Sequence, residues 1–461
     1  MKPAENKGHF TSYSDLNRQM EERLRDTSLY TVDGFCFLKI MQQALHHSSG
    51  GMKHKILRHY FGYPLFVFRL MAWIKGKPQP KQSLKKRVIM ELCRSVVTRE
   101  GDKKSMYFDR LLSVTGRQEV TIVAGKMSCD CPHDLLLSES HPQPNYLLPE
   151  EVKMWKRIRT CLGNLSRSAL FSTEELDYIA SSFHVFFSSF RRYYHFFLGQ
   201  PTRTCVFAPH YLNEGLIAAL KIHGIRAIEI QHGLIAANDY YYVYPSFVEK
   251  VRSMAMFPDH LLLYGEYWKR VLMRGYEFAP EQLSVAGDYL YHSDQKAKPA
   301  TKEYLILIAA QKNLWKPYTD YIRWLVPFLK QHHPEWKVAV KLHPLEKNVS
   351  EYEALDNLGI EIHGKGSSLD ALLERCSIQI TIYSTTLYDA LGYGVLNLSL
   401  QDTSDYDDYA RDMVREGIAL PLMPGEDPVK RWKTDGPASL LRREEVYAPF
   451  NEAVVRSALE L

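Results

Sequence analysis

The chain has 461 residues, of which 45% are hydrophobic and 24% charged, a composition typical of a folded globular protein and not of a disordered one. One hydrophobic core rarely extends over so many residues, so we expect two domains. The net charge of only +5, without a recognition motif, argues against a nucleic-acid-binding protein.

The N-terminus and the cysteines indicate a cytoplasmic protein. Charged residues such as Lys2 and Glu5 precede any apolar run, so no secretory signal is expected. The seven cysteines are scattered, and only Cys129 and Cys131 lie close together. Because no second pair completes a zinc site, a surface loop is the favoured interpretation of this pair.

A basic and aromatic segment lies at residues 53–87. Its apolar run, 60–74, is too short to span a bilayer and contains Arg69. A core helix with a solvated basic flank is the favoured interpretation. The alternative is peripheral contact with the anionic inner surface of the membrane, to which aromatic and basic side chains bind together.

The first 200 residues show few clear patterns. Residues 16–24 and 85–97 resemble helices, and 119–124 resemble a strand. Pro149 followed by two acidic residues predicts a helix start, and Ser172 with Glu175 has the spacing of a capping box. The second of these helices carries an aromatic stripe from Phe186 to Phe197, which is typical of core packing.

Residues 204–233 have the pattern of a βαβ unit. A strand is predicted at 204–209, an apolar helix at 216–222 and a second buried strand at 227–230. The second strand ends at Gln231-His232-Gly233. His232 therefore follows the carboxyl end of a strand, where α/β proteins bind their ligands.

Strands and helices alternate from about residue 260 to 400. Strands are predicted near 260–265, 283–287, 304–310, 338–343, 361–363, 378–382 and 395–399, and helices at 266–274, 318–331, 369–375 and 383–391. The strand at 338 brings His343 to its carboxyl end. This alternation predicts a doubly wound α/β domain, and the preceding βαβ unit indicates a partner domain of the same kind that faces it.

Five short motifs occur in a familiar order: Gln231-His232-Gly233, Tyr264-Gly265, Ala286-Gly287-Asp288, Lys341-Leu342-His343-Pro344 and Ser384-Thr385-Thr386-Leu387-Tyr388-Asp389. With them the chain resembles GT-B glycosyltransferases. More narrowly, it is similar to bacterial surface-polysaccharide enzymes, which include the CDP-glycerol glycerophosphotransferases of teichoic acid synthesis and the sialyl and Kdo transferases that use CMP-sugars. The resemblance covers residues 200–420.

The resemblance implies a fold class and a domain organisation. The fold is α/β, of the GT-B type, with two doubly wound Rossmann-like domains that face a central cleft. The acceptor-side domain is expected at 1–255 and the nucleotide-sugar, or donor, domain at 256–425. A helical tail at 426–461 is expected to pack back on the first domain.

The departing nucleotide phosphate requires positive charge, hydrogen-bond donors or helix N-termini around it. Lys341 and His343 can supply charge or hydrogen bonds. Ser384, Thr385 and Thr386 open a predicted helix whose free backbone amides can hold a phosphate. We therefore expect these five residues to bind the donor.

The resembled motifs add Pro344, Asp389 and Gly265 to the expected donor site. No metal or other cofactor is expected, because the acidic cluster of the second domain has the pattern of a solvated loop; its members are Asp405, Asp407 and Asp408. The expected partners are a nucleotide-sugar and a glycan or glycolipid acceptor.

An inverting transfer needs a general base for the attacking hydroxyl group. His232 is the first candidate, since histidine has a suitable ordinary pKa and the resembled families carry a histidine at this position. Glu214 is the second, at the start of a helix, and Glu229 is a third, within a strand. In a retaining mechanism one of these carboxylates, or Asp239, would be the nucleophile.

The sequence thus predicts a cytoplasmic, metal-independent glycosyltransferase of bacterial surface-glycan synthesis, acting on capsule, lipopolysaccharide or a similar glycan. A CMP-sugar is the preferred donor, on the resemblance alone, and a UDP-sugar is the alternative. Two other hypotheses stay open: transfer of glycerol phosphate from CDP-glycerol, and a non-catalytic protein that binds glycans or nucleotides with the same fold.

Overall fold

The computed structural model describes residues 18, 21–49, 83–91, 95–97, 103–105, 108–125, 134–137, 147–236, 241–288, 302–312, 314–364, 366–401, 408–437 and 441–460. Most of the basic segment at 53–87 lies outside these residues, as do Cys129, Cys131, Asp239, Asp405 and Asp407. In the part of the chain that is described, no helix is both long and apolar enough to cross a lipid bilayer.

The chain forms two compact units. The first comprises Met1–Tyr264, Trp268–Leu290 and Phe450–Leu461. The second comprises Gly265–Tyr267 and Tyr291–Pro449.

The first unit is built on a seven-stranded sheet in which all neighbouring strands are parallel. In chain order the strands of this unit are β1 (Thr31–Val32), β2 (Phe35–Cys36), β3 (Arg87–Glu91), β4 (Ser95–Val97), β5 (Lys103–Ser105), β6 (Val120–Gly125), β7 (Leu135–Leu137), β8 (Thr204–Phe207), β9 (Arg226–Ile230), β10 (His260–Leu263) and β11 (Leu283–Val285). β1 with β2 and β4 with β5 form separate antiparallel pairs.

The order of this sheet is β11-β10-β9-β8-β3-β6-β7. Within this sheet the chain begins at β3 and adds β6 and β7 on one side. It then returns to β8, on the other side of β3, and adds β9, β10 and β11 in that direction. Such a reversal defines a doubly wound sheet, in which ligands bind beyond the carboxyl ends of the strands where the order changes. In this unit the reversal lies between β3 and β8.

The helices of the first unit cover its parallel sheet, as parallel sheets require. In chain order they are α1 (Leu38–Ser49), α2 (Asp109–Thr115), α3 (Pro149–Ser168), α4 (Thr173–Phe197), α5 (Glu214–His223) and α6 (Glu266–Leu272), the last of which begins in the second unit. The predicted capping box is present at the start of α4, where Ser172 and Glu175 exchange side-chain and backbone hydrogen bonds. The aromatic stripe of α4 is buried in the core, as predicted.

Gly215 allows α5 to approach α4 closely. A Cβ atom at this position would lie 2.6 Å from the backbone nitrogen of Phe190 and 2.7 Å from Ser189 Cβ. Neither contact can move without shifting α4. The glycine therefore fixes the start of α5, and with it the position of Glu214.

Gly215→Ala should lower the free energy of unfolding by about 1–3 kcal/mol, because the added methyl group overpacks a backbone contact. Gly163→Ala is the matched control: this glycine also lies in a helix, α3, but a Cβ atom there meets nothing within 4 Å. That substitution should stabilise the protein by about 0.5–1 kcal/mol. Denaturant unfolding measures both, and equal effects of the two substitutions would contradict the packing described here.

The second unit is built on a six-stranded parallel sheet. Its strands are β12 (Leu305–Ala309), β13 (Lys337–Lys341), β14 (Glu361–His363), β15 (Ile378–Thr381), β16 (Leu396–Leu400) and β17 (Leu420–Leu422). Their order, β14-β13-β12-β15-β16-β17, is that of Rossmann-type nucleotide-binding sheets. The order changes between β12 and β15.

Seven helices accompany this sheet among the described residues: α7 (Trp315–His332), α8 (Val349–Glu353), α9 (Leu369–Arg375), α10 (Thr386–Asp389), α11 (Asp408–Arg415), α12 (Pro428–Asp435) and α13 (Arg443–Val446). α7 buries Tyr318, Ile322, Leu325 and Leu329 against the sheet. This spacing of three or four residues is the pattern of an amphipathic helix. A further helix, α14 (Glu452–Leu459), belongs to the first unit.

The prediction of two doubly wound α/β domains is confirmed, since the sheets of both units are parallel and change strand order once. The helix predicted at 85–97 is wrong, because Arg87–Glu91 and Ser95–Val97 form the strands β3 and β4. β3 lies between β6 and β8, and Val88, Ile89 and Met90 are all buried. A strand covered on both faces has no alternation of apolar and polar residues to mark it.

The boundary between the two units differs from the predicted boundary between residues 255 and 256. β10 pairs with β9 and β11 pairs with β10, so both strands belong to the first sheet, and the first unit extends to Leu290. The predicted tail is also divided, because residues up to Pro449 belong to the second unit. Its last part packs on the first unit, where Arg87 and Arg226 donate to the carbonyl oxygens of Leu459 and Ala458.

Candidate active site

A buried ion pair lies at the carboxyl edge of the first sheet. His210 follows β8, Glu229 lies in β9, and both side chains are fully buried. His210 Nδ1 lies 2.5 Å from Glu229 Oε2, and His210 Nε2 lies 3.1 Å from the carbonyl oxygen of Tyr241 and 3.0 Å from Glu277 Oε1. Because both ring nitrogens face acceptors, His210 carries two ring protons and is a cation.

The neighbouring charges determine the pKa of His210. Burial by itself lowers the pKa, but the carboxylates of Glu229 and Glu277 outweigh burial and the nearby Lys39, and the pKa is raised to about 9. For Glu229, burial opposes ionisation, yet the contacts with His210 keep its pKa below the ordinary value. Since the pKa of His210 is raised on folding, its contribution to stability is complete below pH 6.5 and is lost as the pH rises through about 9.

Lys39 and Glu277 extend this cluster. Lys39, in α1, is 2% exposed, and its Nζ lies 3.6 Å from Glu277 Oε1 and donates to the carbonyl oxygen of Tyr241 over 3.3 Å. Glu277 Oε1 therefore forms ion pairs with both Lys39 and His210. Lys39 and His210 thus provide two positive charges against the carboxylates of Glu229 and Glu277.

Glu214 is a third buried acid beside this cluster. Its side chain, at the start of α5, is 7% exposed, and Gln43 Nε2 donates to its Oε1 over 2.5 Å. Burial raises the pKa of Glu214 to about 7, although Lys39, His210 and the Gln43 hydrogen bond oppose the shift. Glu214 can therefore take up and release a proton near neutral pH, which is the property of an effective general base.

A chain of hydrogen bonds connects His232 to Glu229. The Tyr242 hydroxyl donates to Glu229 Oε1 over 2.8 Å and lies 3.2 Å from His232 Nδ1. Since the single hydroxyl proton goes to the carboxylate, His232 Nδ1 must donate to Tyr242. His232 Nε2 then accepts from the Tyr211 hydroxyl, 2.8 Å away. The two tyrosines fix the tautomer of His232.

His232 lies two residues beyond β9, where the sequence predicts it. Burial lowers the pKa of His232 to about 4, and the opposing influence of Glu229 is smaller. The ring is therefore neutral at physiological pH and is a weaker base than an ordinary histidine. The structure brings His232, Glu214 and Glu229 to one edge of the sheet, and of the three only Glu214 has a pKa suited to general-base catalysis at neutral pH.

In the second unit, Lys341 and His343 lie at the carboxyl end of β13, as predicted. Lys341 is buried, and its ammonium group donates to the carbonyl oxygens of Leu342 and Gly364 over 3.1 and 3.0 Å. The His343 ring accepts at Nδ1 from the backbone N–H of Leu345 over 3.0 Å, on the turn that contains Pro344. In neutral His343 this bond places the ring proton on Nε2.

The helix predicted at 383–391 is only one turn long. α10 has four residues, and the first amides of this segment are occupied: the N–H of Thr386 donates to Ser384 Oγ, and those of Leu387 and Tyr388 donate to the carbonyl oxygens of Ser384 and Thr385. Thr386 Oγ1 accepts from Gln379 over 2.7 Å. The prediction that the start of this helix holds a phosphate depends on a helix macrodipole, and a helix of one turn provides little of it.

Asp389 and Gly265 have structural contacts within the second unit. Asp389 Oδ1 accepts from the Tyr447 hydroxyl over 2.9 Å. A Cβ atom at Gly265 would lie 2.3 Å from the carbonyl oxygen of Glu445 and 2.5 Å from that of Val446. Only glycine fits there, so packing accounts for the Tyr264-Gly265 motif.

Sequence reasoning missed His210, Glu277, Lys39, Gln43 and the two tyrosines. His210 had a signal: it follows the carboxyl end of a predicted strand, the criterion that identified His232 and His343. The others come from α1 and from loops, where no local pattern marks them. Among the described residues, no group of three or more histidine, cysteine or acidic side chains is arranged to hold a metal ion.

No protein-family model and no curated protein matches the sequence. Solved structures with a similar chain course include UDP-GlcNAc 2-epimerase from Neisseria meningitidis bound to UDP-GlcNAc, with 12% identity, a TM-score of 0.47 and coverage of 81% of this chain and 100% of that one. The Methanocaldococcus jannaschii epimerase has 11% identity, a TM-score of 0.46 and coverage of 82% and 99%. Acinetobacter baumannii MurG has 12% identity and a TM-score of 0.42, and the match covers 81% of this chain and 98% of that one. Likeness at this level assigns no activity to this chain.

Proposed function

We propose that the protein is a metal-independent glycosyltransferase that moves a sugar from a nucleotide-activated donor to a bacterial surface glycan, such as capsule or lipopolysaccharide. The observation that carries the proposal is Glu214, an acid with a pKa of about 7 beside a buried charged cluster at the carboxyl edge of a doubly wound sheet. Carboxyl groups with such pKa values are concentrated at catalytic sites.

The donor is assigned to the second unit. Its strand order is that of nucleotide-binding sheets, and His343 follows the carboxyl end of β13, on the edge of the sheet where such sheets bind their ligands. A CMP-sugar is the preferred donor, because of the resemblance of the histidine-proline and serine-threonine motifs. A UDP-sugar is the alternative.

In the proposed reaction, Glu214 takes the proton of the acceptor hydroxyl as its oxygen attacks the anomeric carbon of the donor sugar. The bond from that carbon to the phosphate oxygen breaks, and the nucleotide leaves with the electron pair. His232 stays neutral and holds its hydrogen bonds to the two tyrosines. Glu229 is unsuited to a nucleophilic role, because it is fully buried and its oxygens bind His210 and Tyr242. The acceptor would be met at the cytoplasmic face of the inner membrane.

The test is transfer by the purified protein in the presence of a chelator. CMP-sugars, UDP-sugars and CDP-glycerol are each offered with extracted surface glycans, and the released nucleotide and the product mass are measured. We expect a product heavier by one sugar residue. A gain of glycerol phosphate would favour the glycerophosphotransferase hypothesis, and nucleotide binding without turnover would favour the non-catalytic one; either result contradicts the proposal.

A further inference from the structure

Gln311 lies at the point where the strand order of the second sheet changes. It follows β12 by two residues, and β15 is the neighbouring strand on the far side of the change. Gln311 Oε1 accepts from the backbone N–H of Tyr383 over 2.9 Å and from the Tyr318 hydroxyl over 3.0 Å. The side chain is half-buried and therefore within reach of a ligand.

These two bonds determine the orientation of the amide. A backbone N–H can only donate, so the group that faces Tyr383 must be the carbonyl oxygen of Gln311 and not its NH₂ group. Two donors also occupy both lone pairs of that oxygen. The NH₂ group lies in the same plane on the other side of the amide carbon, and Gln311 can offer a ligand only hydrogen-bond donors.

The surrounding network holds this orientation. The Tyr318 hydroxyl accepts from the backbone N–H of Ile382 over 3.0 Å and lies 3.0 Å from Thr381 Oγ1. Thr381 in turn donates to the carbonyl oxygen of Ala309, at the end of β12, over 2.7 Å. The network connects β12 with β15, so the donors of Gln311 are positioned in advance of any ligand.

The chemistry around Gln311 suits an anion. Lys312 is exposed beside it, and the 18-residue helix α7 begins directly after this loop. Leu314, at the N-cap of α7, has no side-chain acceptor for the first amides of the helix, which leaves their positive potential uncompensated by the cap.

We propose that the side-chain NH₂ group of Gln311 binds a phosphate oxygen of the nucleotide donor. This inference rests on the proposed function, and it names a binding residue outside the motifs that the sequence suggested. Hydrogen bonds to charged groups contribute about 1.5–3 kcal/mol each, which corresponds to roughly 10- to 150-fold in affinity.

Gln311→Glu is the sharpest test. The carboxylate keeps an acceptor for Tyr383 and Tyr318 but replaces the outer donors with a negative charge. Titration calorimetry should show at least about a 100-fold loss of affinity for CMP or UDP, whichever the unaltered protein binds. Gln331→Glu adds the same charge at the exposed far end of α7 and should change affinity less than about threefold. Gln311→Met adds no charge and should lower the affinity for the nucleotide about tenfold. It replaces Gln311→Glu in the test if the glutamate variant does not fold.

Cytidine and uridine distinguish a phosphate contact from a base contact, because these nucleosides lack the phosphate. An unchanged nucleoside affinity in both Gln311 variants supports the inference. Equal losses for nucleoside and nucleotide overturn it, as does nucleotide binding by Gln311→Glu as tight as that of the unaltered protein. A failure of the unaltered protein to bind any nucleotide would instead refute the proposed function.

Discussion

Replacing Glu229 with alanine should lower the free energy of unfolding by about 3–5 kcal/mol, because it leaves the His210 cation buried without its main partner. The Tyr242 hydroxyl and the His210 backbone N–H lose an acceptor in the same substitution. Denaturant unfolding at pH 7 measures the effect.

Three further variants test whether loss of the ion pair with His210 causes the destabilisation. Glu281→Ala removes an exposed carboxylate of the same unit and should change stability by less than about 0.5 kcal/mol. Glu229→Gln keeps a hydrogen-bond acceptor but removes the charge, so its loss in the free energy of unfolding should lie between those of Glu281→Ala and Glu229→Ala. Double substitution of His210 and Glu229 should cost less than the sum of the single substitutions. A loss below 1 kcal/mol in Glu229→Ala would contradict the buried ion pair.

Glu214→Gln should reduce kcat by about 10²- to 10⁴-fold, the usual contribution of a general base. The substituted amide keeps an oxygen for the Gln43 hydrogen bond. For the unaltered protein, kcat/KM should rise with pH up to about 7 and then level off, because the base must be deprotonated. If His232 were the base, the rate would already be level above pH about 4.

The pH dependence of stability tests the raised pKa of Glu214 independently of turnover. The pKa of Glu214 is raised from 4.5 to about 7 on folding, so the folded state binds more protons in this window and stability falls as the pH rises through it. The Glu214→Gln variant should lack this fall. Full turnover in Glu214→Gln, together with its loss in His232→Asn, would transfer the role of base to His232.

The sequence predicted the parts of the fold that are periodic. Buried parallel strands such as β9 and β13 are short apolar runs, and α7 has a regular apolar stripe, so both kinds of element could be recognised locally. His232 and His343 were found because polar residues directly after such strands are conspicuous. The alternation of strands and helices also indicated a doubly wound fold.

Sheet membership and the charged cluster could not be predicted in the same way. Alternation along the chain is the same whether β10 joins the first sheet or begins the second. Lys39 and Glu277 are separated by more than 200 residues from each other in the chain and meet only through tertiary packing. The pKa of Glu214 depends on that burial, so the sequence could name the residue but not rank it above His232.

The most direct test of the central claim, that the chain uses a nucleotide-activated donor, is thermal unfolding without metal in the presence of CMP, CDP, UDP, GDP or ADP. A ligand at 100 times its Kd stabilises the native state by about 2.7 kcal/mol, which shifts the melting temperature measurably. We predict that CMP, or UDP if the alternative donor is used, clearly raises the melting temperature of the unaltered protein. The same nucleotide should not raise the melting temperature of His343→Ala. No shift with any of the five nucleotides would contradict the account.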